Sequence, residues 1–224
     1  HYYPYEVGEL IAAGQWLEVP LDDDPEGADG NDEDALGDYY EQHRWIDLDE
    51  TKRPDIRADI RHIPVTDGAI DVVHSRHALE HFGRAEIVPL LTEWVRILRI
   101  GGELRINVPN LKFAIEQILL QDAGEVDPHP YAWWQLYGRQ DDERDVHKNG
   151  YTARRLQLLL EMPCFGLDGV TVEEVDDGQN LQATAVKARV ADRYALTPEW
   201  DAIASREGIA VPGLAPKEVE ATEG

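Results

Sequence analysis

The densest chemistry in the chain lies in HSRHALEHF, where His77, Glu80 and His81 follow the spacing H-x-x-E-H. On a helix, histidines at i and i+4 share a face and can ligate one zinc ion, with the glutamate as base of a metal-assisted hydrolysis. The surrounding residues read as strand, turn and short helix, which is a poor frame for that arrangement, so no metal is expected. A second group stands further on: His147 in DVHKNGY precedes a helix and reads first as a loop-fixing residue. Trp133, Trp134 and Tyr137 can stack on a sugar or aromatic ring. Their commoner use is a satellite core under a long loop. Cys164 stands alone, so it forms no internal disulfide, and with no base near it in sequence it reads as a packing residue.

The elements that must position these groups are legible as periodicities. Val7, Leu10 and Ile11 predict a helix over Tyr5–Ala13, and QWLEVPL at 15–21 predicts a strand stopped by Pro20. Residues 22–38, DDDPEGADGNDEDALGD, have almost nothing to bury and read as a solvated insertion. A helical turn at 39–42 leads to a strand at His43–Asp49, and another strand is expected over Ile56–Ile63. AIDVVH at 69–74 is a compact β-branched strand of the kind buried in a parallel sheet.

A short helix, HALEHF, then precedes a longer one. In the latter Ile87, Leu90, Leu91, Trp94, Ile97 and Leu98 recur at helical spacing, Pro89 requires a start close by, and Gly101–Gly102 are expected to close it. Leu104, Ile106 and Val108 alternate as a strand, and Leu111–Gln121 reads as a helix. Thr152 can cap ARRLQLLLE, and strands at Val170–Val175 and Leu181–Lys187 flank the turn DDGQ. Strands alternating with helices imply an α/β fold: an open, mostly parallel sheet with helices on both faces and a C-terminal antiparallel hairpin. One domain is expected over 1–188, with 189–224 as an extension. In such a sheet ligands bind beyond the carboxyl ends of the strands, where the strand order reverses.

Composition narrows the partners. Against 45 Asp and Glu stand 21 Lys and Arg, only five of them Lys, for a formal net charge of -24. Such a surface repels phosphate backbones, so no direct nucleic-acid partner is expected. Acidic excess with little lysine suits concentrated salt, as in a halophile or its virus; a mesophilic acidic protein is the alternative. No apolar run approaches the roughly 20 residues of a membrane helix, and the first residues lack the pattern of a signal peptide. The expected location is cytoplasmic, or virion-associated if the protein is viral.

Jointly, ADIRHIP, DGAIDVVHSRHALEHF, LTEWVRILRIGGELRINVPN and DVHKNGYTARRLQLLLE make the region from Arg44 to Ala188 resemble the class I S-adenosylmethionine-dependent methyltransferases, in particular a subgroup found beside sugar and polysaccharide genes. The resemblance implies a Rossmann-like fold and S-adenosylmethionine as cofactor. It also implies roles: Glu18 as the acid of the first motif, Asp47 or Asp49 accepting from the ribose hydroxyls, and Asp59 accepting from the adenine amine with Ile60 against the ring. Ser75, Arg76 and His77 would line the floor where acceptor and methyl meet, with Arg76 on the acceptor side. His77 is the candidate general base, although methyl transfer depends chiefly on alignment.

His147, Trp133 and Tyr137 would touch the acceptor, a small molecule or glycan; a protein assembly partner is a further candidate. One departure matters: the family carries a glycine-rich turn after its first strand, and here Pro20, Leu21 and Asp22 stand there. A non-catalytic methyltransferase-like binding module is therefore the alternative reading, and an H-x-x-E-H zinc hydrolase a third.

Overall fold

A computed structural model describes residues 16–20, 43–47, 56–127, 130–141, 144–192 and 198–209. The expected helix at Tyr5–Ala13, the acidic stretch 22–38, the turn at 39–42 and Asp49 lie outside the described residues. Seven strands form one sheet: β1 (Trp16–Pro20), β2 (His43–Asp47), β3 (Ile56–Arg57), β4 (Ile70–Arg76), β5 (Leu98–Pro109), β6 (Leu167–Val175) and β7 (Asn180–Lys187). Their order is β3-β2-β1-β4-β5-β7-β6. The first five run parallel, and β7 is antiparallel to both β5 and β6. The helices are α1 (Arg84–Ile97), α2 (Leu111–Asp122), α3 (Tyr131–Tyr137), α4 (Ala153–Leu160) and α5 (Pro198–Arg206). This is the expected α/β architecture with its closing hairpin.

The core sits between the sheet and α1 and α4. Leu104, Ile106 and Val108 of β5 are all buried, as their alternation predicts. From α1, Ile87, Val88, Leu90, Leu91, Trp94, Val95 and Ile97 are buried. Full burial of one such side chain contributes about 1.5–3 kcal/mol, so this face alone commits the helix to the sheet. Trp94 also donates its indole N–H to the Ile60 carbonyl at 3.1 Å, which ties the segment after β3 to α1. Thr152 caps α4 by accepting from the Arg155 amide, and Leu156, Leu159 and Leu160 fill the space below. Cys164 is buried in the same core, and burial pushes its thiol up to about 11, consistent with packing rather than nucleophilic duty. Beyond the boundary expected at 188, Ala204 and Ile209 join this core as well.

Several local features differ from the sequence expectation. The strand expected over Ile56–Ile63 ends at Arg57, because the Asp59 carboxylate accepts the Arg61 amide and the Asp59 carbonyl accepts the His62 amide, which turns the chain. Pro89 lies in the second turn of α1, not the first; it is exposed, so the carbonyl deprived of its helical donor can meet water. Gly101 and Gly102 do not cap the helix but lie inside β5. Gly101 has φ +78°, and a Cβ at Gly102 would come within 2.9 Å of the Asp71 carbonyl oxygen. The glycines serve a bulge where the pairing steps from Ile70–Leu98 to Val72–Glu103. HALEHF forms only a 3-10 turn, Leu79–His81.

Candidate functional site at the carboxyl end of the fourth strand

β1 pairs with β2 on one side and β4 on the other, so the chain leaves β1 in one direction and returns on its opposite flank. That reversal opens the crevice where ligands bind in such sheets. Register pairs Val19 with Ser75 and Pro20 with Arg76, which sets the exits of β1 and β4 side by side. Glu18 lies on β1 and Asp47 ends β2, so two of the expected cofactor residues belong to strands at this edge.

Asp59 and Ile60 follow β3. The Asp59 carboxylate takes hydrogen bonds from the Arg61 side chain, at 2.6 Å on Oδ2, and these hold its acidity below the ordinary carboxylate range although burial opposes them. Arg61 also reaches Glu86 at the start of α1. Asp59 is therefore a positioned carboxylate: Oδ1 accepts from the Arg61 amide and Nε, and Oδ2 from Nε and Nη2, so a ligand donor would have to share or displace one of these bonds.

Ser75 is fully buried near the end of β4, and its hydroxyl has no hydrogen-bond partner among the described residues. An orphaned buried hydroxyl beside a strand reversal is what a polar ligand would satisfy. His77 follows in the left-handed region, at φ +48°, with its amide donating to the Asn107 carbonyl at 2.9 Å. A non-glycine residue held there costs on the order of 1–3 kcal/mol, and such outliers gather at functional sites.

Next comes a cluster that the sequence did not announce. Glu80 is 1% exposed, and neither carboxylate oxygen has a well-aligned hydrogen-bond partner among the described residues. His77 Nδ1 stands 3.3 Å from its Oε1, at ion-pair distance. Burial opposes the Glu80 charge, but His77, with His81 and His147 nearby, outweighs it and holds the carboxyl below its ordinary value. The Glu80 carbonyl accepts from the amides of Lys148 and Asn149 at 2.8 and 3.0 Å, so the DVHKNG segment docks directly on the LEH turn. His147 hydrogen-bonds the Gln135 carbonyl through Nδ1, His81 that of Arg144, and the two rings meet edge-to-face at 4.9 Å between centroids. Burial pushes the His147 imidazole below its ordinary pKa. The sequence signal for this cluster was only two histidine-bearing motifs; nothing local pairs residues 67 positions apart.

The structure thus brings His77 and His147 to one place through Glu80. Trp133 and Tyr137 lie on α3, two residues from Gln135, with their rings stacked 6.3 Å apart and 47% and 52% exposed. They form a surface platform, not the satellite core that was the commoner expectation. The H-x-x-E-H helix is not formed: His77 lies outside the 3-10 turn that carries Glu80 and His81, so the five residues do not share a helical face.

With this geometry in view, the likeness to known proteins can be placed. Residues 39–106 match the family model described as a methyltransferase domain, short of half the chain. No curated protein matches the sequence significantly. Among solved structures, an S-adenosylmethionine-dependent methyltransferase from Archaeoglobus fulgidus is similar over 81% of this chain and 89% of its own, with 13% identity and a TM-score of 0.50. A possible exported protein from Bordetella parapertussis shares 17% identity over 81% of this chain, at a TM-score of 0.47, and this chain spans only 64% of it. A methyltransferase from Haloferax volcanii, solved with the Trm112 activator, shares 14% identity at a TM-score of 0.48, with coverage of 80% and 85%. The Archaeoglobus likeness supports the fold alone: a Rossmann-like α/β architecture. Among the described residues no helix is long and apolar enough to cross a membrane.

Proposed function

We propose that this chain is an S-adenosylmethionine-dependent methyltransferase acting on a small molecule or a glycan. The observation that carries the reading is the reversal of strand order between β1 and β4, with the His77–Glu80 pair and a Ser75 hydroxyl that has no partner among the described residues at its mouth. The match to a methyltransferase domain over residues 39–106 supports it.

The residues suit the cofactor chemically. Carboxylates accept without donating, which fits Asp47 or Asp49 to ribose hydroxyls and Asp59 to an exocyclic amine. Ile60, half-buried beside Asp59, offers an apolar surface for a ring. S-adenosylmethionine would supply a methyl group on a sulfonium, open to in-line attack. His77 then accepts the proton that the acceptor gives up, while Glu80 orients the imidazole and balances its charge. Trp133 and Tyr137 offer a flat face to a sugar or aromatic acceptor, and Arg76 and His147 polar contacts to it. The charge of -24 argues against a nucleic-acid acceptor.

Calorimetry with S-adenosylmethionine and its demethylated product, in low and in molar salt, tests the proposal. Binding in either buffer is the expected result. No heat and no thermal stabilisation in both would leave a methyltransferase-like module without cofactor.

A further inference from the structure

We propose that Glu80, His81 and His147 form a binding site for one zinc-type divalent cation. One ligand atom from each lies within 4.8 Å of the other two. Three independent features point to a metal rather than to incidental packing. The Glu80 carboxylate is buried, and beyond the His77 imidazole 3.3 Å from Oε1 it meets no donor among the described residues, so Oε2 is left to a further cation. Both imidazoles engage a backbone carbonyl through Nδ1, at 2.9 Å for His81 with Arg144 and 2.8 Å for His147 with Gln135. That bond makes Nδ1 the protonated nitrogen and leaves the Nε2 lone pair as the ligand, the outer-shell pattern of metal-bound histidine. The donors also come from two segments far apart in sequence, the LEH turn and the DVHKNG loop, already joined at the Glu80 carbonyl.

Two imidazoles and one carboxylate are a zinc donor set of the open kind, with a fourth position for water or another ligand. Tetrahedral bonds of about 2.0–2.2 Å bring ligand atoms to about 3.4 Å from one another. The present separations, within 4.8 Å, close by small pivots of the His81 and His147 rings about their Nδ1 bonds, both rings being only part-buried. This set differs from the H-x-x-E-H reading: Glu80 is a ligand instead of a base, and His147 takes the place of His77. His77 stays beside Oε1, which a carboxylate with two oxygens permits.

The untagged full chain, stripped with a chelator and dialysed, should take up one zinc per chain in a calorimetric titration confirmed by elemental analysis. Cobalt(II) should give the intense visible absorption of a tetrahedral site. His81→Ala and His147→Ala should each weaken zinc binding by at least about 100-fold, since even outer-shell changes cost about 10–100-fold. The exposed His62→Ala should bind like the wild type. If His147→Ala does not fold, His147→Gln and the wild-type stoichiometry decide. A wild-type chain that retains no zinc, or histidine variants that keep wild-type affinity, would overturn the site. The readout needs no cofactor, so its failure is distinguishable from failure of the methyl-transfer reading.

Discussion

His77 Nδ1 stands 3.3 Å from Glu80 Oε1, joining a strained, part-buried imidazole to a buried carboxylate at the exit of β4. On the proposed function this pair acts as base and orienter. A positioned general base contributes roughly 10²–10⁴-fold, so His77→Ala is expected to lower kcat by about 10²-fold or more. The affinity for S-adenosylmethionine should change less than about 2-fold, since a base that acts only in the transition state leaves ground-state binding alone. Steady-state kinetics beside calorimetry separate the two; an unaltered kcat would mean that alignment alone drives transfer.

Gly138 ends α3 at φ +77°, and a Cβ there would lie 2.1 Å from the Asp145 carbonyl oxygen. No side-chain rotation relieves a clash with backbone. Gly138→Ala should free the loop from 138 to 149, costing locally about 1–3 kcal/mol. Hydrogen exchange at the amides of His147, Lys148 and Asn149 should accelerate, while the β5 amides stay protected. Uniform acceleration across the sheet would show that the loop is not a separable unit.

What could be read in advance follows from where the information resides. The alternation of Leu104, Ile106 and Val108, the helical stripe through Trp94 and the Thr152 cap are local, and periodicity or a single capping rule captures each. Gly101 and Gly102 were legible as special backbone but not as a bulge, because a cap and a bulge both ask for glycine and only the register of β4 against β5 decides. Asp59 was legible as a cofactor carboxylate within an expected strand; its own side chain turning the chain, and so ending β3 at Arg57, was not. Glu80 was the largest omission from the site. Its burial and its contacts with residues 147–149 depend on a long-range meeting that no window around either segment contains.

Lys187 supplies a test of the frame behind the site. Its ammonium is buried at the end of β7 and donates to the carbonyls of Val95 and Leu98, at 2.7 and 2.6 Å, with Arg96 at 3.3 Å. It caps the carboxyl end of α1, where a cation also meets the negative end of the helix dipole. Burial lowers its pKa, yet the carbonyls are left without donors if it goes. Lys187→Met keeps most of the volume and should destabilise by roughly 1.5–3 kcal/mol, the range for hydrogen bonds to charged groups. Urea unfolding would measure it, and a loss below about 0.5 kcal/mol would show that water replaces the cap.

Glu93 contributes to the acid limit. Its carboxylate accepts from the Ile63 amide at 2.7 Å and from Arg96 through two bonds of 2.8 Å, while Arg96 also binds the carbonyls of Ile63 and Val65. Burial works against the charge, but these donors prevail and hold the carboxyl below its ordinary 4.5. A carboxylate depressed by folding gives stability that is complete above the unfolded value and disappears as pH falls through the folded one. Stability of the wild type should therefore drop as pH falls below about 4.5, in part through this group. Glu93→Gln should be less stable at pH 7, by about 1.5–3 kcal/mol for a charged acceptor, and should flatten that acid slope. Urea midpoints measured from pH 7 down to the acid limb would show the two curves converging; parallel curves would mean that Glu93 titrates alike in the folded and unfolded chain.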